Sequence, residues 1–520
     1  MAGKQIKQSK LIASLLKPDA YPHPVSSIEL LETHISWVIL TGTYAYKIKK
    51  SLRLDFLDFS TLQLRQHFCE EELRLNRRTA PMLYLGVVPV CGSAERPVVD
   101  GEGKAIEYAL KMRQFPQSAQ LDKQLDAGLL NVSDMHALAD TIASYHRDAN
   151  IIDYKSDADA FEQVAMPMRD NLAPISALVD MKVVRRIEEW TETSLQKLEG
   201  ELIERRKDGF VRECHGDLHL ANLVRLPTGI VAFDCVEFSA ALRNIDVISD
   251  VAFLVMDLIA RARQDLAAVL INRYLERTGD YSGMRMFGLY FVYHCMIRAK
   301  VAAVRSGEID GATGNLHEIE QLKHYLAVAL RWIKRPKPRL IAMHGYSGSG
   351  KTWLSSTLLS ELPAIRVRSD IERQRETGVD EITRKDSKPG QGAYTDHARS
   401  DVYRGMMDIV GTLLEAGYNV IADASFLNSV DRDLIVALAE KKNVPLVFVD
   451  AHADEDELKR RLRDRSAAGD DVSEADVQVL LYQQAHASPL TVKEQQQTVC
   501  VATDAPIDPG SIIKEIRQIS

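Results

Sequence analysis

Apolar residues recur along the chain with two different periods, and the places where the period changes divide it. Over the first 110 residues, short runs such as ISWVILTG (35–42) and YAYKIKK (44–50) predict strands, interrupted by one helix-patterned stretch, STLQLRQHFCEEELRLNRRTA (60–80). From about Asp134 to Leu198, and again from Ile248 to Ile333, the spacing is mainly helical; YFVYHCMIRAKVAAVR (290–305) is amphipathic. A Gly-punctuated, β-like patch from Phe210 to Phe238 separates these blocks. Pro336 and Pro338 then end the preceding helix and stiffen a connector. Beyond them RLIAMH (339–344) and YNVIADASF (418–426) read as buried strands and WLSSTLLSEL (353–362) as a helix. The pattern predicts two domains. Residues 1–335 form a small mixed α+β lobe (about 25–115) and a larger helical lobe (about 116–335), and residues 336–520 form an α/β domain on a parallel sheet.

Between the first strand and helix of the second domain lies HGYSGSGKT (344–352), in which Gly345 and Gly350, four residues apart, precede Lys351 and Thr352. This is the G-x-x-x-x-G-K-[ST] pattern of a P-loop NTPase fold in its required strand, loop and helix context. The backbone of Gly345, Ser347, Gly348, Ser349 and Gly350 is expected to turn its N–H groups onto a phosphate. Lys351 then reaches the β/γ-phosphates and Thr352 ligates Mg²⁺. Asp370 and Arg373 stand in a D-x-x-R spacing at a strand-to-helix junction, placing an acid for an acceptor hydroxyl one turn from a cation for a neighbouring anion. Asp423 ends a buried strand, where a carboxylate holds the magnesium water shell opposite Thr352. Ala424 follows it, which disfavours a motor-type ATPase and favours transfer to a bound acceptor. Arg461 and Arg465 share a helix face ahead of a Gly/Asp-rich bend, as in a lid that closes over the γ-phosphate.

The β-like patch, VRECHGDLHLANLVRLPTGIVAFDCVEF (211–238), carries a second set of polar residues. Asp217, four intervening residues and Asn222 give the D-x-x-x-x-N spacing of a kinase catalytic loop, with Asp217 orienting or deprotonating a hydroxyl and Asn222 holding a metal. Asp234, after the strand-like GIVAF, stands where such enzymes place their other magnesium ligand. His215 and His219 lack the intervening Glu of a zinc helix and read as structural. Glu237 reads equally as a substrate or metal contact and as a solvated charge, and Asp246 and Asp250 as helix caps or anchors.

Composition narrows this picture. The 520 residues are 46% hydrophobic and 27% charged with a net charge of −8, the profile of a soluble globular protein and not of a nucleic-acid-coating one. Six cysteines without C-x-x-C spacing fit a reducing cytoplasm. No apolar stretch reads as a membrane span, and the N-terminus lacks the apolar core of a signal peptide.

HGDLHLANL (215–223) with VAFDCVEF (231–238) resembles the catalytic core of aminoglycoside phosphotransferases and the related choline- and homoserine-kinase-like enzymes. The resemblance implies a two-lobed, protein-kinase-like fold, Asp217 as base, and Asn222 and Asp234 as metal ligands. It also implies a phosphate-pairing lysine on YAYKIKK, Lys47, which its same-face neighbour Lys49 could replace as far as spacing goes, and an acid partner on the following helix, Glu71, with Glu72 nearly as well placed. The Gly-rich phosphate lid is absent ahead of that strand. Residues 337–520 resemble the P-loop kinases that include polynucleotide, gluconate-kinase-like and zeta-toxin-like enzymes, which implies Asp370 as base. The whole chain is similar to bacterial proteins that fuse these two kinds of domain. The expectation is a bifunctional phosphotransferase using ATP and Mg²⁺ on a hydroxyl of a small molecule, a nucleotide or a nucleic-acid end. The rival expectations are a single active P-loop kinase regulated by a ligand-binding first domain, and an ATP-driven module that remodels a partner.

Overall fold

A computed structural model describes residues 2–54, 57–153, 156–171, 175, 178–308, 312–377, 396–468 and 476–519. The Gly/Asp-rich bend of the expected lid, within 469–475, lies outside the described residues. The contacts define two compact units: Met1–Arg169 with Glu199–Asp257, and Asp170–Leu198 with Leu258–Ser520.

The first unit is built on a six-stranded antiparallel sheet. Its strands are β1 (Glu29–Glu32), β2 (Ser36–Leu40), β3 (Tyr44–Lys49), β4 (Tyr84–Gly92), β5 (Pro97–Val99) and β6 (Glu107–Arg113), in the order β1-β2-β3-β6-β4-β5. The alternation of YAYKIK sorts its side chains between two faces. Tyr46 and Ile48 join a core with Leu11, Ile12 and Leu15 of an N-terminal helix, α1 (Ala2–Leu15). Ala45 joins the core of the other face with Tyr84 and Leu110, and Lys47 and Lys49, which share the strand parity of Ala45, meet helix α2 (Leu62–Asn76) there. Thr61 caps α2 by accepting the Leu64 N–H at 3.2 Å. The β-like patch forms a hairpin, β7 (Leu223–Leu226) with β8 (Gly229–Ala232), preceded by the turn His215–Asn222 and supported by helix α3 (Val247–Ala260).

The second unit holds a five-stranded parallel sheet of β9 (Leu340–His344), β10 (Ala364–Arg368), β11 (Asn419–Asp423), β12 (Leu446–His452) and β13 (Thr498–Ala502), ordered β10-β11-β9-β12-β13. β9 is central, its β11 and β12 neighbours belong to opposite arms of the sheet, and a crevice at its C-terminal end is the ligand position of such folds. Helices α4 (Gln264–Thr278), α5 (Met284–Glu308) and α6 (Ala312–Ile333) pack in this same unit. Contrary to the sequence expectation, the stretch Tyr281–Gly307 is long and apolar enough by length and composition to cross a membrane. Most of it is buried within the protein, with Phe291 stacked on Trp332 of α6 at 4.2 Å between ring centroids.

Candidate active sites

In the first unit both lysines of β3 converge on one acid. Lys47 Nζ donates to Glu72 Oε1 at 2.7 Å and Lys49 Nζ to Glu72 Oε2 at 2.8 Å. Lys47 also pairs with Asp234, and Lys49 with Glu237. Two ammonium groups thus face three carboxylates, with Glu72 and Lys49 at 0% side-chain exposure and Asp234 open at 43%. Burial alone would raise the Glu72 carboxyl, but the two lysines bring it down to about 2. Burial likewise works against the charge of Lys47, and Asp234, Glu72 and Glu237 more than offset it, holding the ammonium well above its ordinary range. Burial pushes the Glu237 carboxyl up, and Lys49 opposes it.

Of the two acids, it is Glu72 and not the first choice, Glu71, that pairs with the lysines. One residue along a helix is a rotation of about 100°, which turns Glu71 instead toward Arg74, 2.9 Å away, and Arg74 reaches on to Glu213 at 2.7 Å. Glu237 is neither solvated nor an open substrate contact; it is the buried partner of Lys49.

Asp217 and Asn222 meet across the turn, the Asn222 Nδ2 donating to the Asp217 backbone carbonyl and to its Oδ2, each at 2.9 Å. Asp250 of α3 is the brace under this turn, for its carboxylate accepts the His215 and Gly216 N–H groups at 2.7 and 2.9 Å. His215 ties the turn to the metal-ligand candidate. Burial lowers its pKa, and the neutral ring donates from Nε2 to the Phe233 carbonyl at 2.9 Å while Nδ1 accepts the Asp217 N–H at 3.3 Å. The next residue, Asp234, has a left-handed φ of 63°, and its N–H donates to the Tyr84 hydroxyl at 3.0 Å. Gly216 has φ 83°, and a Cβ there would lie 2.5 Å from the Leu242 carbonyl oxygen. Gly216→Ala is therefore expected to cost about 2 kcal/mol, read as a lower urea midpoint.

In the second unit the loop after β9 has the conformation its glycines permit: Gly345 has φ 133°, and a Cβ there would lie 2.3 Å from the Ala451 carbonyl oxygen. Gly350 starts helix α7 (Lys351–Leu359), and the hydroxyl-bearing Thr352 is exposed on its first turn. Ser347 donates its N–H to Gln483 Oε1 at 2.8 Å, Gly348 presents its carbonyl to Arg461, and Ser349 is buried. Lys351 Nζ folds back to the Gly345 and Tyr346 carbonyls at 2.9 and 2.8 Å. Asp423, at the end of β11, is buried and accepts the Ser355 hydroxyl at 2.8 Å; burial raises its carboxyl against the pull of Arg366 and Arg368. Asp370 opens helix α8 (Ser369–Thr377) and pairs with Arg368 at 3.0 Å, while Arg373 is half-buried one turn on. The two arginines of α9 (Glu455–Ala468) divide their roles. Arg465 acts on the charge of Lys351, whereas Arg461 is committed to Glu457 at 2.7 Å and to the Thr503 hydroxyl and carbonyl, each at 2.9 Å. Beside Arg461 is a cavity of about 740 Å³ whose lining includes Trp353, Thr503, Pro506 and Ile507.

Residues 340–490 match the family model described as an AAA domain. Proteins of Mycobacterium tuberculosis and Mycobacterium bovis, each named as uncharacterized, are 29% identical to the chain over 462 residues, covering 87% of it and 89% of their own length. Among solved structures, the chain is similar to a choline/ethanolamine kinase family protein from Mesorhizobium loti at 11% identity and TM-score 0.39, covering 63% of this chain and 96% of that one. A gluconokinase from Sinorhizobium meliloti is 21% identical with TM-score 0.25, covering 35% of this chain and 91% of its own.

In the loop after β9, burial lowers the Lys351 ammonium to about 8, and Asp423 partly restores it. A phosphate brought against this lysine favours its charged form, so ligand binding near pH 8.5 is expected to take up a proton and affinity to fall as pH rises above about 8. Calorimetry in buffers of different ionisation enthalpy reads this uptake directly, and Lys351→Met should abolish it.

Proposed function

We propose that the protein is an ATP-dependent phosphotransferase with a magnesium-nucleotide centre in residues 1–335 and another in residues 336–520, each passing the γ-phosphate to a hydroxyl. The observation that carries this reading is the clasp of Lys47 between Glu72 and Asp234 beside the Asp217–Asn222 pair, in the part of the chain that has no P-loop. A lysine held in this way presents a fixed positive charge to nucleotide phosphates, and phosphoryl transfer needs mainly charge neutralisation and in-line positioning.

In each centre the acceptor oxygen forms a bond to the γ-phosphorus as the bond to the β–γ bridging oxygen breaks, and ADP leaves. Asp217 takes the acceptor proton in the first centre and Asp370 in the second, where the Arg368 ion pair keeps the carboxylate in place. Arg373 and Arg465 steady the transferred charge. Arg461 holds the loop carbonyl of Gly348 and forms a wall of the cavity, which suits the nucleoside part of ATP. The donor sets fit Mg²⁺: Asn222 and Asp234, the latter partly open, in the first centre, and Thr352 with the buried Asp423 in the second. The ion would neutralise phosphate charge there. The acceptor is a small molecule, a nucleotide or a nucleic-acid end, and five buried thiols suit a reducing cytoplasm.

One observation favours a second reading, in which the first centre binds ligand and regulates. The turn between β1 and β2 is closed on itself, Thr33 Oγ1 accepting the Ser36 N–H at 2.9 Å, with no glycine to cover a phosphate. Transfer of labelled γ-phosphate to a pool of hydroxyl compounds, with Asp217→Asn and Lys351→Ala made separately in the full chain, tests both. Two independent losses support two centres; loss of all products in Lys351→Ala alone supports regulation.

A further inference from the structure

The P-loop region is completed by a helix that lies well before it in sequence. Asn272 of α4 is buried against the edge strand β10 and bonds to it as another strand would. Its Nδ2 donates to the Ala364 carbonyl at 3.0 Å, and its Oδ1 accepts the Arg366 N–H at 2.6 Å. One turn later, Glu276 Oε1 accepts from Arg366 Nη2 at 2.8 Å. The other terminal nitrogen of Arg366 reaches α7, donating to Ser355 Oγ at 3.1 Å and Ser356 Oγ at 2.5 Å, and Ser355 in turn donates to Asp423. The carbonyl of Glu276 also accepts Arg375 of α8 at 2.8 Å. Ala268 of α4 is part of the same apolar core as Ile341 and Val449 of the parallel sheet.

We infer that Asn272 and Glu276 are positioning residues of the P-loop centre, acting through Arg366. This deepens, and rests on, the reading of that loop as a nucleotide site. Arg366 has a buried charge, and Glu276 is the acid paired with it; a buried cation deprived of its carboxylate seeks another partner. The groups it already touches on α7 are the Ser355 and Ser356 hydroxyls, and Ser355 in turn holds the magnesium-ligand candidate Asp423. Loss of Glu276 therefore loosens the first turns of α7, and loss of Asn272 frees the strand that leads to Asp370. The working P-loop region begins at α4, and a fragment starting at residue 336 lacks this brace.

Hydrogen exchange on the full chain without nucleotide, together with titration of a fluorescent ATP analogue, tests the inference in Glu276→Ala, Glu276→Gln and Asn272→Ala. Expected are faster exchange of α7 amides and affinity weakened about tenfold in Glu276→Ala, with only a part restored in Glu276→Gln, which keeps an acceptor for Arg366 but not the opposite charge. Asn272→Ala should speed exchange at the Arg366 amide. Unchanged exchange in α7, or equal affinity of Glu276→Ala and wild type, overturns the inference. If the wild type shows no Lys351-dependent binding, the nucleotide reading fails instead, and exchange alone decides the positioning role.

Discussion

Glu72→Ala should destabilise the first unit by about 3 kcal/mol, while Glu71→Ala one position earlier changes stability by less than about 1 kcal/mol. The contrast follows from what each acid leaves behind. Removing Glu72 strands Lys47 with Asp234 and Lys49 with Glu237, in a place where Lys49 has no access to water. Removing Glu71 leaves Arg74 with Glu213 as its partner and 44% of its side chain in solvent. A pH series separates the electrostatic part from packing. The Glu72 carboxyl is lowered from its ordinary 4.5 to about 2 in the folded protein, so its contribution is complete above about pH 4.5 and is lost as pH falls toward 2. That shift corresponds to about 3 kcal/mol. Urea midpoints measured across this window should fall steeply for the wild type and more shallowly for Glu72→Ala. Glu71→Ala should follow the wild type.

Short-range pattern carried much of the architecture into the sequence. The P-loop could be read because a phosphate loop draws its strand, glycines, lysine and helix from one continuous stretch, and Asp217 with Asn222 because a single turn brings them together. Period-two alternation placed Lys47 and Lys49 on one strand face but could not separate them, and in the structure both pair with Glu72. Glu71 and Glu72 differ by one helical step, and their separation depends on Arg74 finding Glu213, a partner 139 positions away. Asp250 under the His215 turn, Arg368 beside Asp370, and the α4 clamp on Arg366 were not legible. Each acts through its neighbours in space, and nothing in local spacing distinguishes a buried bracing acid from a cap or a surface charge. Arg461 belongs to the same class, because the groups that claim it include Thr503, 42 positions on.

If the proposed two centres both transfer phosphate, Lys351→Ala should lower γ-phosphate transfer by the second about 10²–10³-fold, with no effect on products made by the first. The lysine is the cation inside the loop, and in the ligand-free loop it is turned onto two carbonyl oxygens, Gly345 and Tyr346. An incoming phosphate competes with those carbonyls for the same ammonium, so the gain lies in exchanging neutral acceptors for charged ones as charge moves onto the bridging oxygen. The reciprocal variant, Asp217→Asn, keeps an acceptor oxygen for the Asn222 contact and removes the ability to take a proton, so the first centre should lose about 10²–10⁴-fold while its nucleotide affinity stays near that of the wild type. Labelled products resolved by chromatography check both. Two product families that disappear one at a time require two centres, because a regulatory first unit would leave no product that survives Lys351→Ala.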